Sequence, residues 1–270
     1  MRLKLTLHPL DKPVVPINYQ YPLSAAIYNV LRKAAPEYAS FLHDQGYKTS
    51  ENRLMKMFTF SKLHIPGGRL VKPGNRALRG SHGDWTLYIS SIMTDEFVQN
   101  FILGLFESAR FSIATTEIKT AFEIRQVEAI APPQFSETMR FKCLSPITAS
   151  TKREENGKTK IKYYHPTEAE FPQALCNNLV QKYETAHRKP LAEAKLNFFL
   201  GEKDRPRSRL IAIKEGSAQQ TNIKAWETYF TLSGTPELLR AAWECGLGEH
   251  NSQGFGMIDA LSDHETSLEG

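Results

Sequence analysis

The order of secondary-structure signals predicts an α+β protein: two tandem ferredoxin-like (RRM-like) domains with antiparallel sheets facing a central cleft. Three observations predict it. Residues 1–131 run strand, helix, strand, strand, helix, strand by hydrophobic periodicity. Pro132-Pro133 then punctuates the chain. Residues 134–270 repeat the order in outline, with extra strands and a glycine-rich loop between the last helix and the last strand. The expected domains are therefore 1–131 and 134–270.

The elements follow in order. Leu3, Leu5 and Leu7 alternate with Arg2, Lys4 and Thr6, so the chain starts on a half-buried strand, not a signal peptide. Pro22 opens a helix whose buried stripe is Leu23, Ile27, Val30 and Leu31. Pro36 ends it, and a short helix follows from Glu37 to His43. Leu54–Leu63 alternates as a strand. Ile65–Gly83, rich in glycine, proline and positive charge, reads as a loop or loose hairpin. Asp84–Ser91 is a strand. Thr94 is a candidate cap for a helix striped by Phe97, Phe101 and Leu105. Arg110–Ile130 holds one long strand or two shorter ones. Beyond the prolines, Met139–Ile147 is a strand, and Ser150–Tyr164 is a hairpin turning at Asn156-Gly157. Thr167 caps a helix to about His187. Asn197–Leu200, Ser208–Ile213 and Trp226–Leu232 are strands. Pro236–Glu244 is the last helix and Phe255–Ala260 the last strand, before a polar tail.

Composition narrows the function classes. The 270 residues suit two ordinary domains, and 41% hydrophobic content supplies their cores. A net charge of +5 and a pI near 9.0 favour an anionic partner. Cys143, Cys176 and Cys245 are scattered and form no C-x-x-C pair, which argues against a disulfide framework or zinc site and for a cytoplasmic setting. No apolar run approaches the roughly 20 residues of a membrane span. No histidine, cysteine or carboxylate spacing points to a metal, and no cofactor motif is present.

The charge is unevenly placed. From Asn52 to Gly83 there are seven basic residues (Arg53, Lys56, Lys62, Arg69, Lys72, Arg76 and Arg79) and no acidic one. A second cluster is Lys203, Arg205, Arg207 and Arg209, and a third lies on the 150–164 hairpin. Such segments suit a polyanion laid across a surface; taken singly, each is an ordinary solvated face. Tyr163 and Tyr164 are candidates for stacking on unpaired bases, whereas Phe58 and Phe60 read as core.

The remaining signal is Gly246-Leu247-Gly248-Glu249-His250-Asn251-Ser252-Gln253-Gly254-Phe255-Gly256-Met257-Ile258. It lacks the Gly-Lys-Ser/Thr of a Walker loop, and it follows a helix where a dinucleotide fingerprint opens one. Glycine loops of this kind either pack helix on sheet or present N–H groups to an anion. The string resembles the C-terminal glycine-rich loop of the CRISPR-associated endoribonucleases of the RAMP superfamily, which cut precursor CRISPR RNA within its repeats. Asn18-Tyr19-Gln20-Tyr21-Pro22-Leu23-Ser24-Ala25-Ala26-Ile27-Tyr28-Asn29, Phe41-Leu42-His43-Asp44 and Lys56-Met57-Phe58-Thr59-Phe60-Ser61 are similar to other segments of that family.

The resemblance implies a catalytic triad of Tyr28, His43 and Lys56. It implies 2′-hydroxyl attack without a metal, leaving a 2′,3′-cyclic phosphate and a 5′-hydroxyl. It further implies that CRISPR repeat RNA, as hairpin or single strand, is held by the basic segments and by Gly248, His250, Asn251, Ser252, Gly254 and Gly256. Other Cas proteins of an interference complex are implied partners, and monomer and homodimer both stay open. His43 also reads as a helix-end residue, Tyr28 as core and Lys56 as surface; His250 and His64 are competing histidines. The alternative function is a non-catalytic tandem RRM-like RNA-binding subunit.

Overall fold

The computed structural model describes residues 1–71, 77–155 and 157–261. The first sheet contains β1 (Arg2–Pro9), β2 (Phe58–Phe60), β3 (Trp85–Ser91), β4 (Arg110–Ala114) and β5 (Lys119–Ile130), antiparallel in the order β2-β3-β1-β5-β4. Helices α1 (Gln20–Ala34) and α2 (Gln99–Glu107) share its core with Leu3, Leu5 and Leu7 of β1. They pack closely enough that a Cβ on Gly104 would lie 2.1 Å from the Val30 carbonyl oxygen.

The second unit has β6 (Thr138–Cys143), a hairpin of β7 (Ser150–Glu155) and β8 (Lys158–Tyr163), then α3 (Glu170–His187) and β9 (Leu196–Phe199). A second hairpin, β10 (Arg207–Ile213) and β11 (Thr221–Glu227), precedes β12 (Tyr229–Gly234), α4 (Pro236–Cys245) and β13 (Ile258–Ala260). Its sheet order is β9-β12-β6-β13. Counting the strands of each βαββαβ unit in sequence, both sheets read second-third-first-fourth. The tandem ferredoxin-like fold is thus present twice, with β4 added to the first sheet and two hairpins inserted in the second unit.

Several elements differ from their sequence expectation. The strand expected over Leu54–Leu63 is two pieces. Leu54–Met55 pairs with Tyr47–Lys48, Met57 takes a positive φ of 57°, and only Phe58–Phe60 enters the sheet. All three residues of β2 are buried because both its faces are covered: Thr59 Oγ1 donates to the Phe255 carbonyl of the second unit (3.0 Å). Met139–Ile147 stops at Cys143, since Leu144 and Ser145 both donate to the Met257 carbonyl of the same unit. Trp226–Leu232 divides between β11 and β12. Helix α1 starts two residues before Pro22, and neither Thr94 nor Thr167 makes a side-chain cap. Arg110–Ile130 resolves into β4 and β5. Within Ile65–Gly83, Arg69–Leu70 pairs antiparallel with Leu78–Arg79, which Val14–Pro16 joins. Lys72, Arg76, Asn156 and the tail from 262 lie outside the described residues.

Arg2, expected on the polar face of β1, is 1% exposed and clamps the two units together. It donates to the carbonyls of Trp243 and Ile258 (both 2.7 Å) and to Asp259 Oδ1 (2.8 Å), and lies 3.8 Å from the Trp243 ring centroid. Lys62 donates its N–H to the Leu144 carbonyl and pairs through Nζ with Glu227 (2.6 Å). At this junction Lys62, Leu63, His64, Tyr88, Cys143 and Leu144 line a groove of about 540 Å³. Among the described residues no helix is long and apolar enough to cross a membrane.

Candidate active site

Tyr28, His43 and Lys56 are brought together by one turn of chain. Helix α1 ends at Ala34, Pro36 opens a single turn to Ser40, and Phe41–Gln45 is a wide turn closed by the bond from Gly46 N–H to the Phe41 carbonyl (2.7 Å). Leu42 is wholly buried and anchors the turn, while the next side chain, His43, projects outward and is 63% exposed. The His43 ring meets the Tyr28 ring edge-on, with centroids 5.4 Å apart. Lys56 Nζ donates to the His43 carbonyl (2.7 Å), so one of its three N–H groups holds the turn.

The environments of the three differ. Burial raises the Tyr28 phenol above its ordinary pKa, and the neighbouring Ser252 side chain offsets part of the rise. Tyr28 is thus a neutral group at ordinary pH, suited to orient and not to act as a base. Burial lowers the pKa of Lys56, opposed by Asp44. His43 Nδ1 lies 2.7 Å from Asp44 Oδ1, which leaves Nε2 as the outward nitrogen. Asp44 adjoins the histidine in sequence, yet carried no signal of its own.

The glycine loop enters the site from the second unit. Ser24 Oγ donates to the Ser252 carbonyl (2.6 Å), one turn of α1 before Tyr28. A Cβ on Gly254 would lie 2.7 Å from the Phe60 ring, and one on Gly256 2.1 Å from the Leu247 carbonyl oxygen. These glycines permit the loop to seat between the units. Several of the loop's N–H groups are used in packing helix on sheet. Those of Gly246, Leu247, Glu249, Gln253, Gly254 and Gly256 are all given to backbone carbonyls. Two loop side chains also reach the surface: His250, exposed in a left-handed conformation with Nδ1 3.0 Å from Gln253 Oε1, and the half-buried Ser252.

The predicted basic residues that are described have different surroundings. Arg53 pairs with Glu51 (3.5 Å), and Lys62 pairs with Glu227. Arg69 and Arg79 are exposed register partners on the outer hairpin. Arg140, Lys142, Lys203, Arg205 and Arg207 line a separate groove of about 610 Å³ beside β12. His64 is exposed and bridged through its backbone to Thr86, away from the His43 turn. Lys182, which sequence reasoning passed over, is buried beneath the glycine loop. Its signal was its place on the apolar stripe of α3, three residues after Leu179 and seven after Leu175.

Two ferredoxin-like folds, with a glycine-rich loop between them beside an exposed histidine, a tyrosine and a lysine, define a RAMP-type protein. The sequence relationships make this specific. Residues 14–127 match the family model "CRISPR-associated protein Cas6, N-terminal", and residues 130–260 match "CRISPR associated protein Cas6, C-terminal". The CRISPR-associated endoribonuclease Cas6 1 of Methanocaldococcus jannaschii is 32% identical over 264 residues, spanning 97% of this chain and 94% of that protein. The CRISPR-associated endoribonuclease Cas6 of Pyrococcus furiosus is 29% identical, over 98% of this chain and 92% of its own. A solved CRISPR-associated protein Cas6 superposes with a TM-score of 0.72 at 30% identity, covering 97% and 99% of the two chains. A Cas6-related protein of Pyrococcus furiosus shares the fold, with a TM-score of 0.81 at 23% identity and coverage of 97% and 99%. The chain belongs to the Cas6 family.

Proposed function

We propose that this chain binds precursor CRISPR RNA and cuts it once within each repeat, with the RNA's own 2′-hydroxyl as nucleophile and no metal ion. The 2′-oxygen forms a bond to the adjacent phosphorus and the bond to the 5′-oxygen breaks. The products are a 2′,3′-cyclic phosphate and a 5′-hydroxyl. One proton leaves the 2′-hydroxyl and one reaches the departing 5′-oxygen. His43 is the proton-transfer group, with Nδ1 held by Asp44 and Nε2 outward. Lys56 places its charge beside the same turn and stabilises the phosphorane. Tyr28, kept neutral by burial, orients the reacting groups.

The observation that carries this reading is the convergence of Tyr28, His43 and Lys56 on one turn with only the histidine ring well exposed. The charged hairpin β7–β8, the groove with Arg140 and Arg205, and the side chains of His250 and Ser252 hold the RNA backbone. The chain acts in the cytoplasm, and its product passes to other Cas proteins.

The test is cleavage of repeat RNA in chelator, with and without a 2′-deoxy nucleotide at the cut, by the wild type and by His43→Ala. Wild-type cleavage of the all-ribose RNA alone, and a rate about 10²–10⁴-fold lower for the variant at similar RNA affinity, is the expected result. Near-normal cleavage by the variant overturns the histidine assignment. Tight binding without cleavage by the wild type makes the chain a binding subunit.

A further inference from the structure

Lys182 is a charged side chain in an apolar position. It is 4% exposed on the inner face of α3, among Leu175, Leu179 and Tyr183. Its ammonium donates to the carbonyls of Gly246 (2.8 Å) and Gly248 (2.7 Å) and to Asn251 Oδ1 (2.6 Å). All three N–H groups are therefore used, and all three acceptors belong to the glycine loop. Asn251 carries the network onward, since its Nδ2 donates to the Phe255 carbonyl (3.1 Å). The positive φ values of Gly246 (86°) and Gly248 (75°) belong to a backbone whose carbonyls converge on one point.

Among the described residues no carboxylate pairs with this ammonium, whose three bonds go to two carbonyls and an amide oxygen. Glu249 is the nearest acidic neighbour, and its carboxylate accepts from Ser150 Oγ instead (2.7 Å). A buried ammonium without an ion-pair partner is costly, and an apolar side chain of similar length would fill the space more cheaply. What the ammonium offers that methionine does not is direction: three short bonds from one point hold three separated loop atoms.

From this geometry, and resting on the site reading above, we infer that Lys182 is a positioning residue for catalysis, acting through the glycine loop to place Ser252 against Tyr28. The path is continuous. Lys182 binds Asn251, the next residue is Ser252, the Ser252 carbonyl is held by Ser24 one turn of α1 before Tyr28 with its side chain neighbouring the Tyr28 phenol, and Tyr28 meets the His43 ring. Lys182 itself contacts none of the three candidate catalytic residues; its effect passes through Ser252.

The test is a double-mutant cycle in single-turnover cleavage of repeat RNA, with Lys182→Met, Ser252→Ala and the pair. Each single variant is expected to cut about tenfold more slowly, with the RNA affinity of Lys182→Met changed less than about threefold. The pair is expected to be no more than about threefold slower than the slower single variant, because both act through one contact. Full multiplication of the two effects overturns the inference, as does an unaffected rate in folded Lys182→Met. If Lys182→Met does not fold, Asn251→Ala, which removes one acceptor from the ammonium, replaces it in the same cycle. Amide hydrogen exchange of residues 246–256 is read on the free proteins. Faster exchange in the Lys182 variant supports the pin even if the wild type cuts no RNA, in which case only the cleavage reading fails. Unchanged exchange overturns the pin even where cleavage is intact.

Discussion

Gly46→Ala probes the turn that joins Tyr28, His43 and Lys56 without removing any candidate catalytic group. Gly46 has φ 71° and ψ −169°, a region that side chains rarely enter, at about 1–3 kcal/mol per residue. A Cβ there would lie 2.6 Å from the Met55 carbonyl oxygen and 2.9 Å from Lys56 Cδ. The first neighbour is backbone and cannot swing aside, so the ribbon pairing Tyr47 with Met55 must move. Relief of that contact takes several tenths of an ångström or more, and it displaces Lys56 and the His43 carbonyl it holds. Misplacements near 1 Å cost up to about 10²-fold in rate. The expected result is a single-turnover cleavage rate about 10–10²-fold lower, RNA affinity within about threefold of wild type, and a lowered melting temperature. Gly67→Ala is the control: its φ is 64° but nothing lies within 4 Å, so it carries backbone strain without a collision. Stability should fall in both variants and cleavage only in Gly46→Ala. A folded Gly46→Ala that cuts at the wild-type rate, or a Gly67→Ala that loses as much cleavage, refutes the positioning of Lys56 by this turn.

Two further outcomes are expected. Arg2→Ala strands Asp259 and two carbonyls that Arg2 now satisfies and removes its stacking on Trp243; denaturant unfolding should show a loss of about 3 kcal/mol, and a loss below about 1 kcal/mol would mean the units are held elsewhere. RNA affinity should fall steeply between 50 and 200 mM salt, by counterion release from phosphate contacts. A flat dependence would reduce the basic grooves to ordinary surface.

The fold was legible because each unit's strands and helices carry strong periodicity, and two βαββαβ strings separated by Pro132-Pro133 leave few topologies. Boundaries failed where tertiary contact overrode pattern. The Leu54–Leu63 alternation gives no sign that Met57 breaks the strand or that Thr59 faces a second unit. Arg2 was read as solvent-facing because the pattern of β1 cannot register that α4 and β13 cover its polar face at that end. The turn joining Tyr28, His43 and Lys56 was legible through Pro36 together with the resemblance of three short segments. The interior of the glycine loop was not. Four glycines announce a special backbone but not whether its N–H groups or its carbonyls point outward, and the answer lies on α3, at Lys182, more than sixty residues away.

That lysine also predicts a pH dependence of stability. Burial pushes its ammonium down from the ordinary 10.5 to about 8. Below pH 8 folded and unfolded chains both hold the proton, and the whole cost of burying the charge is present. As pH rises from 8 towards 10.5, the folded chain releases the proton while the unfolded chain keeps it, so that cost is relieved. At about 1.4 kcal/mol per unit, the relief is at most about 3 kcal/mol. Other groups titrate in the same window: the buried thiols of Cys143 and Cys245 and the phenols of Tyr19 and Tyr28 are all raised, so they ionise first in the unfolded chain and lower stability with rising pH. Cys143, Tyr19 and Tyr28 do so in the wild type and in Lys182→Met alike, whereas the Cys245 thiol, which Lys182 lowers, rises further in the variant. The informative quantity is the difference between the two unfolding free energies, with Cys245 and Glu249 the titratable groups facing the amine. That difference should be flat from pH 6.5 to 7.5 and then move in favour of the wild type by up to about 3 kcal/mol by pH 10. Cleavage should not follow, because a neutral amine has two N–H groups for three loop acceptors and the pin loosens as the charge is lost. A difference that stays flat to pH 10 means that the three acceptors hold the ammonium charged, and the lysine is then a pin at every pH.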